Sequence, residues 1–289
     1  MKNLTKYTAV LFAAAALMAG CAGRPQQNGK PVMFVSIAPL KAMVEEITGD
    51  DFDLRILVPA GASPESFEPS MRQFVALNES KLVFSVGLID FEKNLVSKLS
   101  DRSKIVDLSR GIELIEGECS HHHHGHSHGH SHGVDPHIWS SPSTLSVMAR
   151  NAYEAIRTLC PDSVKYEAAY ERLDSRIAQL DRTVSQICAD ANHRYFIIYH
   201  PALTYLARDY GLEQIAIEDE GKEPGAKRIA AIIDRARKDG IGKIFYQSQF
   251  PQSTVATIAG DIGAEAVEID PLAEDLFGNL EHIARLITR

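Results

Sequence analysis

The sequence predicts an α/β fold of two small α/β lobes with parallel sheets, joined by one long rigid helix. Three observations carry this reading. Short β-rich runs alternate with helical ones from residue 31 to about residue 108. The same alternation returns from His193 to the C-terminus. Strands and helices in turn make a parallel sheet with helices on both faces. Between the halves, Tyr166, Tyr170, Leu173, Ile177, Leu180, Val184 and Ile187 recur at steps of three and four, with charged residues between them. That spacing lines one face of a single helix. From Ser163 to Cys188 it covers about 26 residues and reaches roughly 39 Å, enough to run the height of both halves. A coiled-coil dimerisation helix is the rival reading. A pattern this short inside an α/β chain favours intramolecular packing, so a monomer is expected.

The elements follow in order. Lys2 and Lys6 precede an apolar run over 10–19 that is too short to span a bilayer. A basic start before a short apolar stretch reads as a secretory signal over 1–20. Leu17-Met18-Ala19-Gly20-Cys21 resembles a bacterial lipobox, which makes Cys21 the lipidated residue and places the mature chain outside the cytoplasm on a lipid anchor. Acyl burial contributes about 0.8 kcal/mol per CH₂. Residues 21–30 read as a polar tether. The first lobe, 31–160, has expected strands at 32–37, 54–58, 82–86 and 104–108 and helices at 39–47, 71–79 and 89–99. A histidine-rich stretch over 117–133 interrupts it, with no apolar residue to bury, and is expected as a loop without regular structure. Ser141-Pro142 then opens a helix to about residue 160, with serine as N-cap and proline at the first position. The linking helix lies within 161–190. The second lobe, 191–289, has expected strands at 194–199, 213–217, 243–247 and 265–269, and helices at 201–210, 226–239, 251–260 and 274–287.

Composition narrows the partners. Lys+Arg number 30 against 38 Asp+Glu, a net charge of −8 without a basic patch, so no nucleic acid is expected. With Cys21 lipidated, Cys119, Cys160 and Cys188 remain. An odd number with no CxxC supports neither a disulfide framework nor a thiolate zinc site. Cys160 and Cys188 read as small apolar fillers.

The histidines are more pointed. Of twelve, eight fall in one tract: His121, His122, His123, His124, His126, His128, His130 and His132. Clustered neutral imidazoles bind zinc, copper or nickel. Ordering such a tract around an ion costs about 1–2 kcal/mol per residue, so it is read as a weak accessory collector. An engineered tag would not sit internally, interleaved with Gly and Ser. A tight site must come from elsewhere. Asp135-Pro136-His137-Ile138-Trp139 offers a histidine. Tyr199-His200-Pro201 places another between a strand and a helix, and Ile269-Asp270-Pro271 does the same with a carboxylate. Ligands in open α/β sheets gather at the carboxyl ends of strands. Glu65, after Pro64, lies on another loop that follows a strand. All four candidates adjoin a proline, whose fixed φ limits the entropy lost on binding. The acidic run 218–223 reads as a solvated loop near the cleft.

These motifs resemble a family over essentially the whole mature chain: the zinc and manganese receptors of ABC importers, of the ZnuA and TroA type. Asp135-Pro-His-Ile-Trp-Ser-Ser-Pro142 and Tyr199-His-Pro-Ala-Leu-Thr-Tyr-Leu-Ala-Arg-Asp-Tyr-Gly-Leu212 carry the resemblance, and the tract before Asp-Pro-His matches the zinc-type members. The resemblance implies a metal-receptor type periplasmic binding protein, with His137 and His200 as ligands and Asp270 at the fourth position. It also implies an ABC permease as membrane partner. The family's first loop commonly reads Gly-x-Ser-Pro-His, whereas here it reads Gly61-Ala-Ser-Pro-Glu65. A carboxylate there is still a zinc ligand. Two nitrogens and two carboxylates make manganese the alternative cargo. Glu68 or a water is the substitute should Glu65 point away.

Capture between lobes, slight closure and delivery to the permease then describe the expected function. Zinc affinity is expected to fall as pH drops toward about 6.5, the ordinary histidine range. A zinc buffer or chaperone working mainly through the tract is the alternative. No enzyme is expected, since there is no HExxH and no nucleophile–base motif.

Overall fold

The computed structural model describes residues 29–116, 133–218, 222–250 and 252–289. The signal segment 1–20, Cys21 and most of the tether, Cys119, the eight tract histidines and residues 219–221 of the acidic run lie outside the described residues.

The strand-forming runs pair in two parallel sheets of four. β1 (Val32–Val35), β2 (Asp53–Ile56), β3 (Val83–Ser85) and β4 (Ile105–Asp107) stand in the order β2-β1-β3-β4. β5 (Tyr195–Ile198), β6 (Glu213–Ala216), β7 (Lys243–Tyr246) and β8 (Glu265–Glu268) repeat it as β6-β5-β7-β8. Of the four inner strands, β1 and β5 are apolar at every position, as suits strands covered on both faces. Each strand is a residue or two shorter than its apolar run, the usual scatter at element ends.

Helices fill the crossovers. α1 (Ala38–Thr48), α2 (Met71–Glu79) and α3 (Asp90–Lys98) serve the first sheet. α4 (Pro142–Leu159) and α5 (Val164–Ala189) follow, then α6 (Thr204–Asp209), α7 (Ala226–Asp239), α8 (Gln252–Ile262) and α9 (Leu276–Ile287) serve the second. Ser141 holds the N-cap position of α4 but makes no capping hydrogen bond. Its hydroxyl donates to Asp209 Oδ2 at 2.5 Å, and the Ser143 hydroxyl joins it. A carboxylate acceptor outcompetes the local backbone, so the start of α4 is tied to the end of α6.

The long helix α5 buries Leu173, Ile177 and Val184 along the predicted face. Each such side chain contributes roughly 1.5–3 kcal/mol. The helix packs on α1 and α4 from the first half and on α9 from the second. One core therefore runs through both lobes, joining Met43, Leu145 and Ile156 to Leu173 and Phe277. A smaller cluster around Ile197, Ile244 and Val255 covers the other face of the second sheet. Among the described residues no helix is long and apolar enough to cross a membrane.

Candidate metal centre

Three loops leaving carboxyl ends of strands converge on one point. The loop after β2 turns at Gly61, whose φ of 79° favours glycine. It then presents Glu65, whose N–H donates to Ser63 Oγ at 3.3 Å. Gln73 Nε2 holds the start of this loop by donating to Leu57 O, and Phe67 packs edge-on against Phe91.

The segment beyond β4 returns at Val134, which bridges Glu116. Asp135 Oδ1 accepts both the backbone N–H of His137 at 2.9 Å and its Nδ1–H at 2.8 Å. One carboxylate thus shapes the turn and aims the ring, the local bonding for which Asx residues are selected in turns. Tyr205 Oη donates to the Asp135 carbonyl at 2.9 Å and pins the turn to α6.

His200 stands two residues beyond β5. Its Nδ1 donates to Glu218 Oε1 at 2.8 Å, its ring stacks on Phe250 with centroids 4.7 Å apart, and its carbonyl accepts from Gln247 Nε2 at 2.9 Å. The register explains the first and third contacts. Ile198 pairs with Ala216 of β6 and with Phe245 of β7. Two residues further on, His200, Glu218 and Gln247 come level.

With both Nδ1 atoms given to carboxylates, each Nε2 faces inward. The two Nε2 atoms are 3.2 Å apart, and His200 Nε2 is 2.8 Å from Glu65 Oε1. One ligand atom from each of Glu65, His137 and His200 lies within 4.8 Å of the others. His137 and His200 are only 5% and 4% exposed, and the Glu65 side chain 21%. A tetrahedral ion with bonds of about 2.0–2.1 Å sets its donors about 3.3 Å apart, so the donors fit zinc with little movement.

The electrostatics point the same way. Burial alone would lower the His200 pKa, but Glu218 and Glu65 outweigh it and raise it to about 9. Asp135 is held below the usual carboxylate range, because the charge and hydrogen bonds of His137 outweigh the burial that would raise it. Three carboxylates around two imidazoles make a centre that calls for positive charge, either a proton on Nε2 or a divalent cation in its place.

The sequence-predicted residues divide. Glu65, His137 and His200 are brought together. Glu68 is exposed and stands outside the group. Asp270 is not brought in either: it is exposed, its Oδ1 accepts from the Leu272 N–H at 3.0 Å, and it lines a neighbouring cavity of about 210 Å³. Alternation beyond β8 explains this, because Ile269 turns into the core and Asp270 must turn out. The expectation of a solvated acidic loop fails at Glu218, which is 4% exposed and bonded to His200. Glu218, Gln247 and Phe250 were missed as site residues. Their one signal was placement just after strands, which sequence periodicity does not convert into register. Trp139 also serves the site: its Nε1 donates to Pro271 O at 2.9 Å, linking the His137 turn to the loop after β8.

Comparison with known proteins agrees with this geometry. The family model described as ZnuA, zinc-uptake complex component A, periplasmic, matches residues 33–289. The zinc-binding lipoprotein AdcA of Streptococcus pneumoniae strain R6 is 28% identical over 293 residues, covering 94% of this chain and 56% of AdcA. The chain therefore spans about half the length of that relative. A crystal structure of ZnuA superposes with a TM-score of 0.81 at 32% identity, covering 90% of this chain and 98% of that one. The periplasmic zinc-binding protein TroA from Treponema pallidum shares the fold, with a TM-score of 0.78 at 20% identity. A match over nearly all of the folded chain, with two histidines and a carboxylate meeting between its sheets, makes this protein a member of the ZnuA family, the periplasmic A component of zinc-uptake complexes.

Proposed function

We propose that this chain is the extracytoplasmic receptor of an ABC importer, which captures Zn²⁺ between its lobes and hands it to a membrane permease. One observation carries the reading. Two imidazole Nε2 atoms and a carboxylate oxygen converge from loops of both sheets, and each imidazole is oriented by a buried carboxylate. Imidazole nitrogens with a carboxylate suit zinc better than manganese, the alternative cargo. Glu65 and His137 reach the ion from the first lobe, and His200 reaches it from the second. Because one core and one helix join the lobes, ion binding tilts them slightly rather than closing them widely. A lipid on Cys21 holds the receptor at the membrane, in keeping with the lipoprotein name of the pneumococcal relative.

Calorimetric zinc titration after deletion of residues 120–133 is the test. One tight site is expected to remain, and His200→Ala in that background weakens it by more than the roughly hundredfold that loss of an outer partner causes. A deletion that removes nearly all zinc binding would instead make the protein a buffer working through its histidine tract.

A further inference from the structure

Zinc is ordinarily four-coordinate, and the converged side chains bring donors from three residues. Asp270 is exposed and stands outside that group, with its Oδ1 accepting from the Leu272 N–H. Gln247 lines the same cavity as Glu65, His137 and His200, and is 2% exposed. Its amide is oriented, because Nε2 donates to the His200 carbonyl. The flipped amide would set two acceptors against each other. Its Oε1 is buried with no hydrogen-bond partner among the described residues. An orphaned buried acceptor costs about 1–3 kcal/mol, so its place beside the ligands asks for a donor from the cavity. The cavity volume is about 40 Å³. One water needs roughly 10–15 Å³, so an ion and a water fit while a bulkier co-ligand does not.

We propose that the fourth donor to the ion is a water molecule held by a hydrogen bond to Gln247 Oε1, which makes Gln247 a positioning residue of the metal site. This rests on the zinc reading above. The water binds through an oxygen lone pair and donates one O–H hydrogen bond to the amide oxygen. An amide oxygen is a poor zinc ligand beside histidine and carboxylate, so Gln247 acts through the water. An exchangeable fourth donor also gives a receiving permease an opening at the ion that a fourth side chain would deny.

The test uses the full chain with its tract histidines replaced (His121→Ser and likewise through His132→Ser), loaded with one equivalent of Co²⁺. In ¹⁷O-enriched water, the cobalt EPR signal of this parent is expected to broaden. Gln247→Met is expected to change the visible cobalt spectrum and to weaken zinc about ten- to hundredfold. A parent signal unchanged by ¹⁷O overturns the proposal, whether or not Gln247→Met folds. So does a Gln247→Met protein with the parent's spectrum and zinc affinity. Cobalt that binds His200→Ala as well as it binds the parent overturns the three-residue site itself, and this inference with it.

Discussion

His137 and His200 face each other across 3.2 Å, and each leans on a buried carboxylate at 2.8 Å, yet the two are built by different means. Asp135 lies two residues from His137, and the same oxygen that aims the ring also holds the backbone of the turn. Glu218 lies eighteen residues from His200 and reaches it only because β5 and β6 are in register. One histidine is oriented by local chain geometry and the other by the sheet. Function treats them alike, whereas folding does not. Losing the local carboxylate unmakes a turn. Losing the distant one leaves the backbone intact and changes the charge at the ring.

That contrast sets the sharpest expectation. Asp135→Ala and Glu218→Ala are each expected to weaken zinc about ten- to hundredfold by calorimetry, as outer partners of metal-binding histidines do. Asp135→Ala is further expected to lower metal-free stability by about 1–3 kcal/mol in urea, because a buried backbone N–H loses its acceptor. Above about pH 9, where His200 has given up its proton, equal stability losses at the two positions would erase the distinction.

A second expectation concerns pH and His200. The His200 pKa is raised in the fold to about 9 from 6.5. The stabilisation is therefore fully present below about pH 6.5 and is lost as pH rises through 9. Metal-free protein is expected to lose about 3 kcal/mol across that window. Zinc must displace the same proton, so its apparent affinity rises about tenfold per pH unit up to about pH 9. This moves the expected pH dependence upward from the ordinary histidine range, because Glu65 and Glu218 both favour the imidazolium. In Glu218→Gln the window is expected to contract toward lower pH. An affinity flat between pH 7 and 9 in the unaltered protein would remove His200 from the ligand set.

The smallest effect concerns packing on the second histidine alone. Phe250 stacks on His200 with an interplanar angle of 15°. Phe250→Leu is expected to lose about 1 kcal/mol of this contact, close to a fivefold weaker zinc affinity with little change in pH dependence. A pH shift as large as that of Glu218→Gln would mean that the ring excludes water rather than merely packing.

Much of the molecule was legible because it follows from local rules. Strands read as apolar runs, the long helix as steps of three and four, His137 as a histidine held beside a proline, and His200 as a residue on a loop that follows a strand. Glu65 was legible too, although it departs from the commoner histidine. One reading failed and one was incomplete, for the same reason. Glu218 was read as a solvated carboxylate, and Ser141, which does hold the N-cap position, turns its hydroxyl elsewhere; each was judged by its sequence neighbours, and a distant partner claimed its side chain. Asp270 was placed correctly at a strand end, but pleat alternation turned its side chain the other way.

By itself, then, the order of residues determined which segments become strands and helices, and which loops carry nitrogen and oxygen donors. Backbone propensity and hydrophobic period act over a few residues and leave their mark in the string. Tertiary structure alone decided which donors meet and which carboxylate orients His200, and it turned Gln247 rather than Asp270 to the cavity. Those outcomes depend on inter-strand register and on burial. Both come from packing segments far apart in the chain, and neither has a period to read.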